Sequence, residues 1–465
     1  MNLETARPQS TPLPRRLKLL YSTGDLSTSI PLAILMFFQL YFLTDVAGLP
    51  PQNAAWAIGA GRVWDAINDP LFGLVADRIR SPWGRRRVLL LFGAVPLGVS
   101  FALMWIVPPL GTGGLTLYYT LSFLLFDTVF TMVHVGYNAL TPELTSDYDE
   151  RSSLNGYRMV FSISGTLGAI ILTTVLGWVI SDVRLLYSAV GIGLGLATMV
   201  PPLIAFAATE ELPLTGTPKP LPVRQAVAAT LGNRPFWLVM AMYLLSWTTA
   251  SILAANLIYF ANYFLRVPDQ ANFFVLVAMG SAIAFIPLWV WVARRLDKRI
   301  AFVLGTASWI AVLLAISGIQ PDQLTLAYTL AFLAGSGIAT AYVIPWSMVP
   351  DIIEVDQAVT GQRREGAYYA FASFFQKAAT GVALWAMGMA LAASGYITPD
   401  TDPNAPLPVQ PPKVVDAIRV FMGPVPSVLL ILALLFAWRY PISRERHREL
   451  VDELTVRENT PPEEV

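Results

Sequence analysis

Residues 61–77 read GRVWDAINDPLFGLVAD and run on to position 87 as RIRSPWGRRR. The first part is apolar enough to enter a bilayer, yet it carries Arg62, Asp65 and Asp69. Spacings of three and four put all three on one helix face, with Asn68 at its edge. A charge at the centre of a membrane span costs about 2.5–3.5 kcal/mol on insertion scales, so such a face looks into protein or a water-filled cavity. Pro70 has no N–H for the carbonyl of Ala66, which leaves that oxygen open to a ligand or water. Two carboxylates, an amide oxygen and a freed carbonyl are hard oxygen ligands that suit Na⁺, and the carboxylates alone can carry H⁺. The plainer alternative is a structural ion network around Arg62.

The rest of the chain has the composition of a membrane protein. Its 465 residues are 55% hydrophobic and 13% charged, with a mean hydropathy of +0.56. Soluble domains carry about 25% charge. A soluble enzyme, a disordered chain and a nucleic-acid binder are excluded. Thirty-one basic and 31 acidic residues cancel, leaving no global field for polyanions. With no cysteine and 2 histidines, disulfides, thiolate metal sites and a histidine-rich metal site are excluded as well. Twelve apolar runs are expected to span: 19–46, 52–76, 88–108, 115–141, 154–181, 185–207, 236–264, 270–293, 300–319, 325–349, 363–395 and 415–438. No signal peptide is expected.

An even number of spans puts both termini on one side. That side receives Arg15, Arg16, Lys18, Arg80, Arg85–87, Arg294, Arg295, Lys298, Arg299, Arg439 and the basic tail, whereas the other receives Arg184, Arg266, Lys413 and Arg419. Such a bias predicts a multi-pass protein of the cell membrane with both termini cytoplasmic. The polar, proline-rich stretch TEELPLTGTPKPLPVRQ divides it into an N-terminal six-helix bundle (1–208), a linker (209–235), a C-terminal six-helix bundle (236–438) and a tail (439–465). GLVADRIRSPWGRRR after the second span and WVARRLDKRI after the eighth form a weak internal repeat.

Other polar residues at membrane depth are candidates for the same site. Asp25 follows Gly24, which permits close helix approach. Lys377 lies in the eleventh span and needs an acidic partner from another helix, with Asp65 or Asp69 the natural choice. Thr131 and His134 are three apart in the fourth span, followed by Tyr137 and Asn138. Tyr342, Pro345 and Trp346 mark the tenth, where aromatics stack on a sugar, line an acyl path or simply pack. His447, in the charged tail, is expected to be inert. Asp77, Arg78 and Arg85 in the first half and Asp351 and Arg363 in the second are gate candidates. Asp147, Asp149, Glu150 and Arg151 are expected to latch onto Asp351, Glu354, Asp356, Arg363 and Arg364, a solvated charged face being the alternative.

The motifs YSTGD, YFLTDVAGL, RVWDAINDP, GLVADRIRSPWGRRR, ALTPELTSDYDER and PD…TGQRREG…K together resemble the melibiose-permease-like glycoside–pentoside–hexuronide:cation symporters of the major facilitator superfamily. The resemblance covers nearly the whole chain. It implies twelve transmembrane helices in two six-helix bundles and alternating access around a midplane site. It further implies that Asp65 and Asp69 bind the coupling cation, that Asn68 and Thr131 assist, that Asp25 binds sugar and that Lys377 links the two sites. Three positions depart from the sugar-binding pattern: His134 replaces an aspartate, Asn138 a tryptophan and Tyr342 another tryptophan. The segment H-V-x-Y-x-A-L-T, residues 134–141, also resembles the sodium-dependent lysophosphatidylcholine symporters.

The expected function is therefore Na⁺- or H⁺-coupled symport of a small solute, first a sugar or glycoside, with a lysolipid as the alternative and a non-transporting membrane sensor last. No enzyme activity, nucleic-acid partner or cofactor beyond the coupling ion is expected. The family default is a monomer.

Overall fold

In the computed structural model of the chain, the charged stretch lies in one unbroken helix, Pro51–Arg78. Pro51 sits in its first turn, where a missing N–H leaves no bond unmade. The described residues are 13–145, 148–210, 232–360, 365–399, 407–441 and 449, excepting the side chains at 70, 73–75, 77, 78, 142, 148, 149, 152, 358–360, 365–367 and 370. The gate and latch candidate Arg363, the latch candidates Asp147 and Arg364, and the tail residue His447 lie outside the described residues, as do the side chains of Asp77, Arg78 and Asp149.

Twelve helices and no strand occur among the described residues. They are α1 (Arg15–Val46), α2 (Pro51–Arg78), α3 (Arg87–Leu103), α4 (Thr112–Leu144), α5 (Tyr148–Val179), α6 (Val183–Ala208), α7 (Arg234–Phe264), α8 (Pro268–Arg295), α9 (Lys298–Gly318), α10 (Leu324–Thr360), α11 (Glu365–Ser394) and α12 (Pro412–Arg439). Nine are long and apolar enough to cross a membrane by length and composition. The other three have a physical reason for falling short. α2 carries its three charges, α3 has 17 residues, and α11 carries Gln376 and Lys377 midway. Three of the starts carry side-chain caps: Asp182 accepts from the Arg184 and Leu185 amides, Asn233 from Phe236 and Asp297 from Arg299. α10 runs to Thr360, well past the expected 349. α12 is interrupted at Gly423, between Met422 and Pro424.

The chain divides into two compact units, Met1–Thr217 with Thr398–Leu407 and Pro218–Ile397 with Pro408–Val465. The first holds α1–α6 and the second α7–α12. In the first, α2 and α3 pack on α4, α1 on α5 and α3 on α6. In the second, α8 and α9 pack on α10, α7 on α11 and α9 on α12. The pairing is the same with six added to each number. Large apolar side chains such as Met159, Val160, Trp178 and Val179 on α5 and Trp438 on α12 are exposed, as lipid-facing positions are.

The repeat reaches single hydrogen bonds. α1 ends in a widened π-turn, Phe42–Val46, and α7 in another, Phe260–Phe264. After each, the chain turns back through matching bonds: Ala47 N to Phe42 O and Leu49 N to Leu43 O, then Leu265 N to Phe260 O and Val267 N to Ala261 O. The turn needs a left-handed residue. It is Gly48 (φ 73°) in the first unit and Arg266 (φ 60°) in the second. A side chain in that region costs about 1–2 kcal/mol, and glycine gives back about 0.5–1 kcal/mol of it in unfolded-state entropy. Arg266→Gly is therefore expected to raise the thermal midpoint of the purified protein by about 2 °C. A fall in midpoint overturns this account of the turn.

Candidate functional site

Helices α2 and α4 are cross-linked along their length by side chains. Asn53 Nδ2 donates to Thr116 Oγ1 (3.0 Å), Trp64 Nε1 to Thr128 Oγ1 (2.8 Å), and Thr131 Oγ1 to Asp69 Oδ1 (2.9 Å). Asn68 Nδ2 donates to both the carbonyl (3.2 Å) and Oδ2 (3.3 Å) of Asp127. The two helices approach closely because Gly61 faces the Phe123 ring, which any Cβ there would overlap. Arg62 lies over the same ring, 5.5 Å from its centroid, and its guanidinium is 3.9 Å from Asp65 Oδ2. Asp65 is 2% exposed, Asn68 2%, Asp127 5% and Thr131 1%, and Asp69 is half-buried, so the helix pair gathers a cluster of side-chain oxygens largely out of solvent. Asp65, Asn68, Asp69 and Thr131 thus share one helix pair. Asp127 was not expected in it. The signal was available, since it is a lone carboxylate inside an apolar run.

A second polar cluster gathers on α1, α4 and α5. Arg158 of α5 grips Asp25 with two bonds, Nε to Oδ2 (2.8 Å) and Nη2 to Oδ1 (3.2 Å). The same guanidinium donates to Asn138 Oδ1 (2.7 Å) and Thr141 Oγ1 (2.9 Å), and stacks on the Tyr137 ring at 4.6 Å. Tyr137 donates its hydroxyl to Asp25 Oδ2 (2.9 Å). The Asn138 amide meets His134 Nε2 at 2.8 Å, and the His134 ring stacks on Phe130. Gly24 lets the Tyr137 ring lie against α1, where a Cβ would overlap it. Asp25, His134 and Asn138 therefore belong to one network. Its hub, Arg158, escaped the sequence reading because it sits near the start of a span and reads as a boundary charge.

In the second unit, Trp346 Nε1 donates to the Tyr243 hydroxyl (2.7 Å), and Tyr342 packs on Trp247 with ring centroids 4.6 Å apart. Trp247 Nε1 reaches Thr380 of α11 (2.9 Å), three residues beyond the half-buried Lys377. Tyr342 and Trp346 thus pack among aromatics where α7, α10 and α11 meet.

Arg85, Glu150 and Asp351 have partners inside their own units. Arg85 and Arg86 approach Glu143 Oε1 at 3.4 and 3.7 Å. Lys298 binds Asp351 at 2.7 Å and also the Ser347 carbonyl. The two pairs occupy equivalent places in the repeat, between the loop before α3 or the start of α9 and the far end of α4 or α10. Glu150 accepts from Lys18 (2.9 Å) and from the Leu13 amide. Just past α12, burial and the neighbouring carboxylates of Asp351 and Asp297 push the Tyr440 hydroxyl well above its usual range, so it stays neutral.

Comparison with known proteins agrees with this architecture. A family model described as MFS/sugar transport protein matches residues 20–444. An uncharacterized symporter of Synechocystis sp. is 32% identical over 95% of this chain and 96% of its own length. The sodium-dependent lysophosphatidylcholine symporter 1-A of Danio rerio is 28% identical over 92% of this chain and 86% of its own. Among solved structures, a D-xylose-proton symporter matches with TM-score 0.66 at 16% identity, over 91% of this chain and 97% of that one, which carries the fold alone. These proteins are transporters, and none is similar through one half only. With its two six-helix bundles of the major facilitator fold, the chain belongs to the MFS/sugar transport protein family.

Proposed function

We propose that the chain is a sodium-coupled symporter of a zwitterionic lysolipid or similar amphiphile, working by alternating access in the cell membrane with both termini in the cytoplasm. The basic residues on the terminal side of the spans support that orientation. Sodium, a co-substrate rather than a resident cofactor, is held by Asp65, Asp69, Asn68 and Thr131. Lys377 links this site to the substrate. A dicarboxylate left without its ion disfavours reorientation until ion and solute are both aboard.

One observation carries the choice of substrate: the buried Asp25 and the half-buried Arg158 lie side by side at 2.8 Å, with the Tyr137 ring against the guanidinium. Separating such a pair and leaving one charge unmatched costs about 3–5 kcal/mol. A neutral polyol supplies no charge, and a simple anion matches Arg158 but strands Asp25. A zwitterionic head group satisfies both, with its phosphate on Arg158 and its quaternary ammonium on Asp25. The sodium-dependent lysophosphatidylcholine symporters among the full-length relatives support the same class. So do the departures from the sugar pattern at His134, Asn138 and Tyr342. A sugar, favoured by the sequence alone, is the weaker reading.

The test is uptake by purified protein in vesicles, with and without an inward Na⁺ gradient, of lysophosphatidylcholine, lysophosphatidic acid and a galactoside. Lysophosphatidylcholine is expected to enter about tenfold faster than the others, the ratio that 1.4 kcal/mol supplies, and to need the gradient. Gradient-driven galactoside uptake without lysolipid uptake returns the protein to the sugar carriers.

A further inference from the structure

We infer that Asp127 is a positioning residue that turns the side-chain oxygen of Asn68 toward the coupling cation. The inference rests on the cation site proposed above. An amide side chain has one face that donates and one that accepts. In Asn68 the donating face is committed, since Nδ2 lies against the backbone carbonyl and Oδ2 of Asp127 at 3.2 and 3.3 Å. Oδ1 accepts no hydrogen bond among the described residues and is turned the other way. Rotating the amide by half a turn would face Oδ1 against two acceptor oxygens and lose both bonds. It would also offer N–H groups where the cation must sit.

The location makes that orientation matter. Asn68 lies between Asp65, one turn earlier on α2, and Asp69, its neighbour, which is tied to α4 by Thr131. Asp127 sits on α4 one turn before Thr131. It and Asp65 are both within electrostatic reach of the Arg62 guanidinium. Asp127 thus shares that cation, which stands 3.9 Å from Asp65 rather than in close contact. A partner behind a ligand typically governs affinity by about 10–100-fold.

The test is a double-mutant cycle on Na⁺ affinity, read from tryptophan fluorescence of the purified protein, with Asp127→Leu, Asn68→Ala and the pair. Asp127→Leu is expected to weaken Na⁺ about 10–100-fold. In the Asn68→Ala background it is expected to cost no more than about twofold further, because it acts through Asn68. Thermal unfolding checks that each variant folds. If Asp127→Leu does not, Asp127→Asn in the same two backgrounds supplies the cycle. Asp69→Asn is the control for the site itself. If that control removes Na⁺ binding while the Asp127 substitution is silent, or adds in full to Asn68→Ala, the positioning role is wrong and the site stands. If Asp69→Asn leaves Na⁺ affinity intact, the site and the inference fall together.

Discussion

Arg158→Met is expected to abolish lysolipid uptake and to lower the thermal midpoint by about 10 °C. The guanidinium makes four side-chain bonds, two of them to Asp25, and no methionine contact replaces any of them. Removing one partner of a buried ion pair costs about 3–5 kcal/mol because the other charge is stranded. In a unit of this size each kcal/mol moves the midpoint by about 2–4 °C. Arg158→Lys keeps the charge but loses the two-pronged grip and the planar stack on Tyr137, so it falls between. The double variant Arg158→Met with Asp25→Leu separates the two effects. It strands no charge, so stability is expected to return to within about 1 kcal/mol of the parent while uptake stays absent. Substantial lysolipid uptake by folded Arg158→Met protein would remove the proposed head-group site.

The second large effect is at Asp69. Asp69→Asn keeps the shape and leaves Thr131 an oxygen to donate to, but it removes a formal charge from the cation site. Gradient-driven accumulation is expected to fall at least about 100-fold, since a full charge in a low-dielectric pocket is worth several kcal/mol to a bound ion. Exchange of substrate across the membrane without a gradient is expected to persist, because Asp25 and Arg158 lie on α1 and α5, outside the α2–α4 pair that holds Asp69. Loss of both activities together points to misfolding, which the thermal midpoint detects. Accumulation that keeps its full Na⁺ dependence in this variant refutes the cation site.

The sequence made the helices legible because each buries or greases a long apolar run, and the charged face of α2 legible because ionised groups in a bilayer must have company. Less could be read where one residue carries two signals. Arg158 lies a few positions after Glu150 and Arg151, so its charge reads as part of a boundary although the helix already began at Tyr148. Asp127 stands alone among Leu124, Leu125, Phe126 and Val129, and its partner is 59 positions away on another helix. α10 runs past its apolar stretch because DIIEVDQ has the spacing of an amphipathic helix, which a hydropathy window treats as loop. Trp346 and Tyr342 carried no mark that distinguishes a stacking platform from packing, and their nearest partners are other rings. The shared turn at Gly48 and Arg266 leaves only a short trace in the sequence, Tyr41, Phe42 and Pro50 in one half and Tyr259, Phe260 and Pro268 in the other, with unlike residues between.

The rungs joining α2 to α4, at Asn53, Trp64, Asn68 and Asp69, brace the two helices into a single strut. In the proposed cycle that strut moves as one piece, because flexing it would break several side-chain bonds at once. On the proposed site, an ion seated on it is consequently never handed across. It is loaded on one side of the membrane, travels as a passenger of its own half, and leaves when water arrives from the other side.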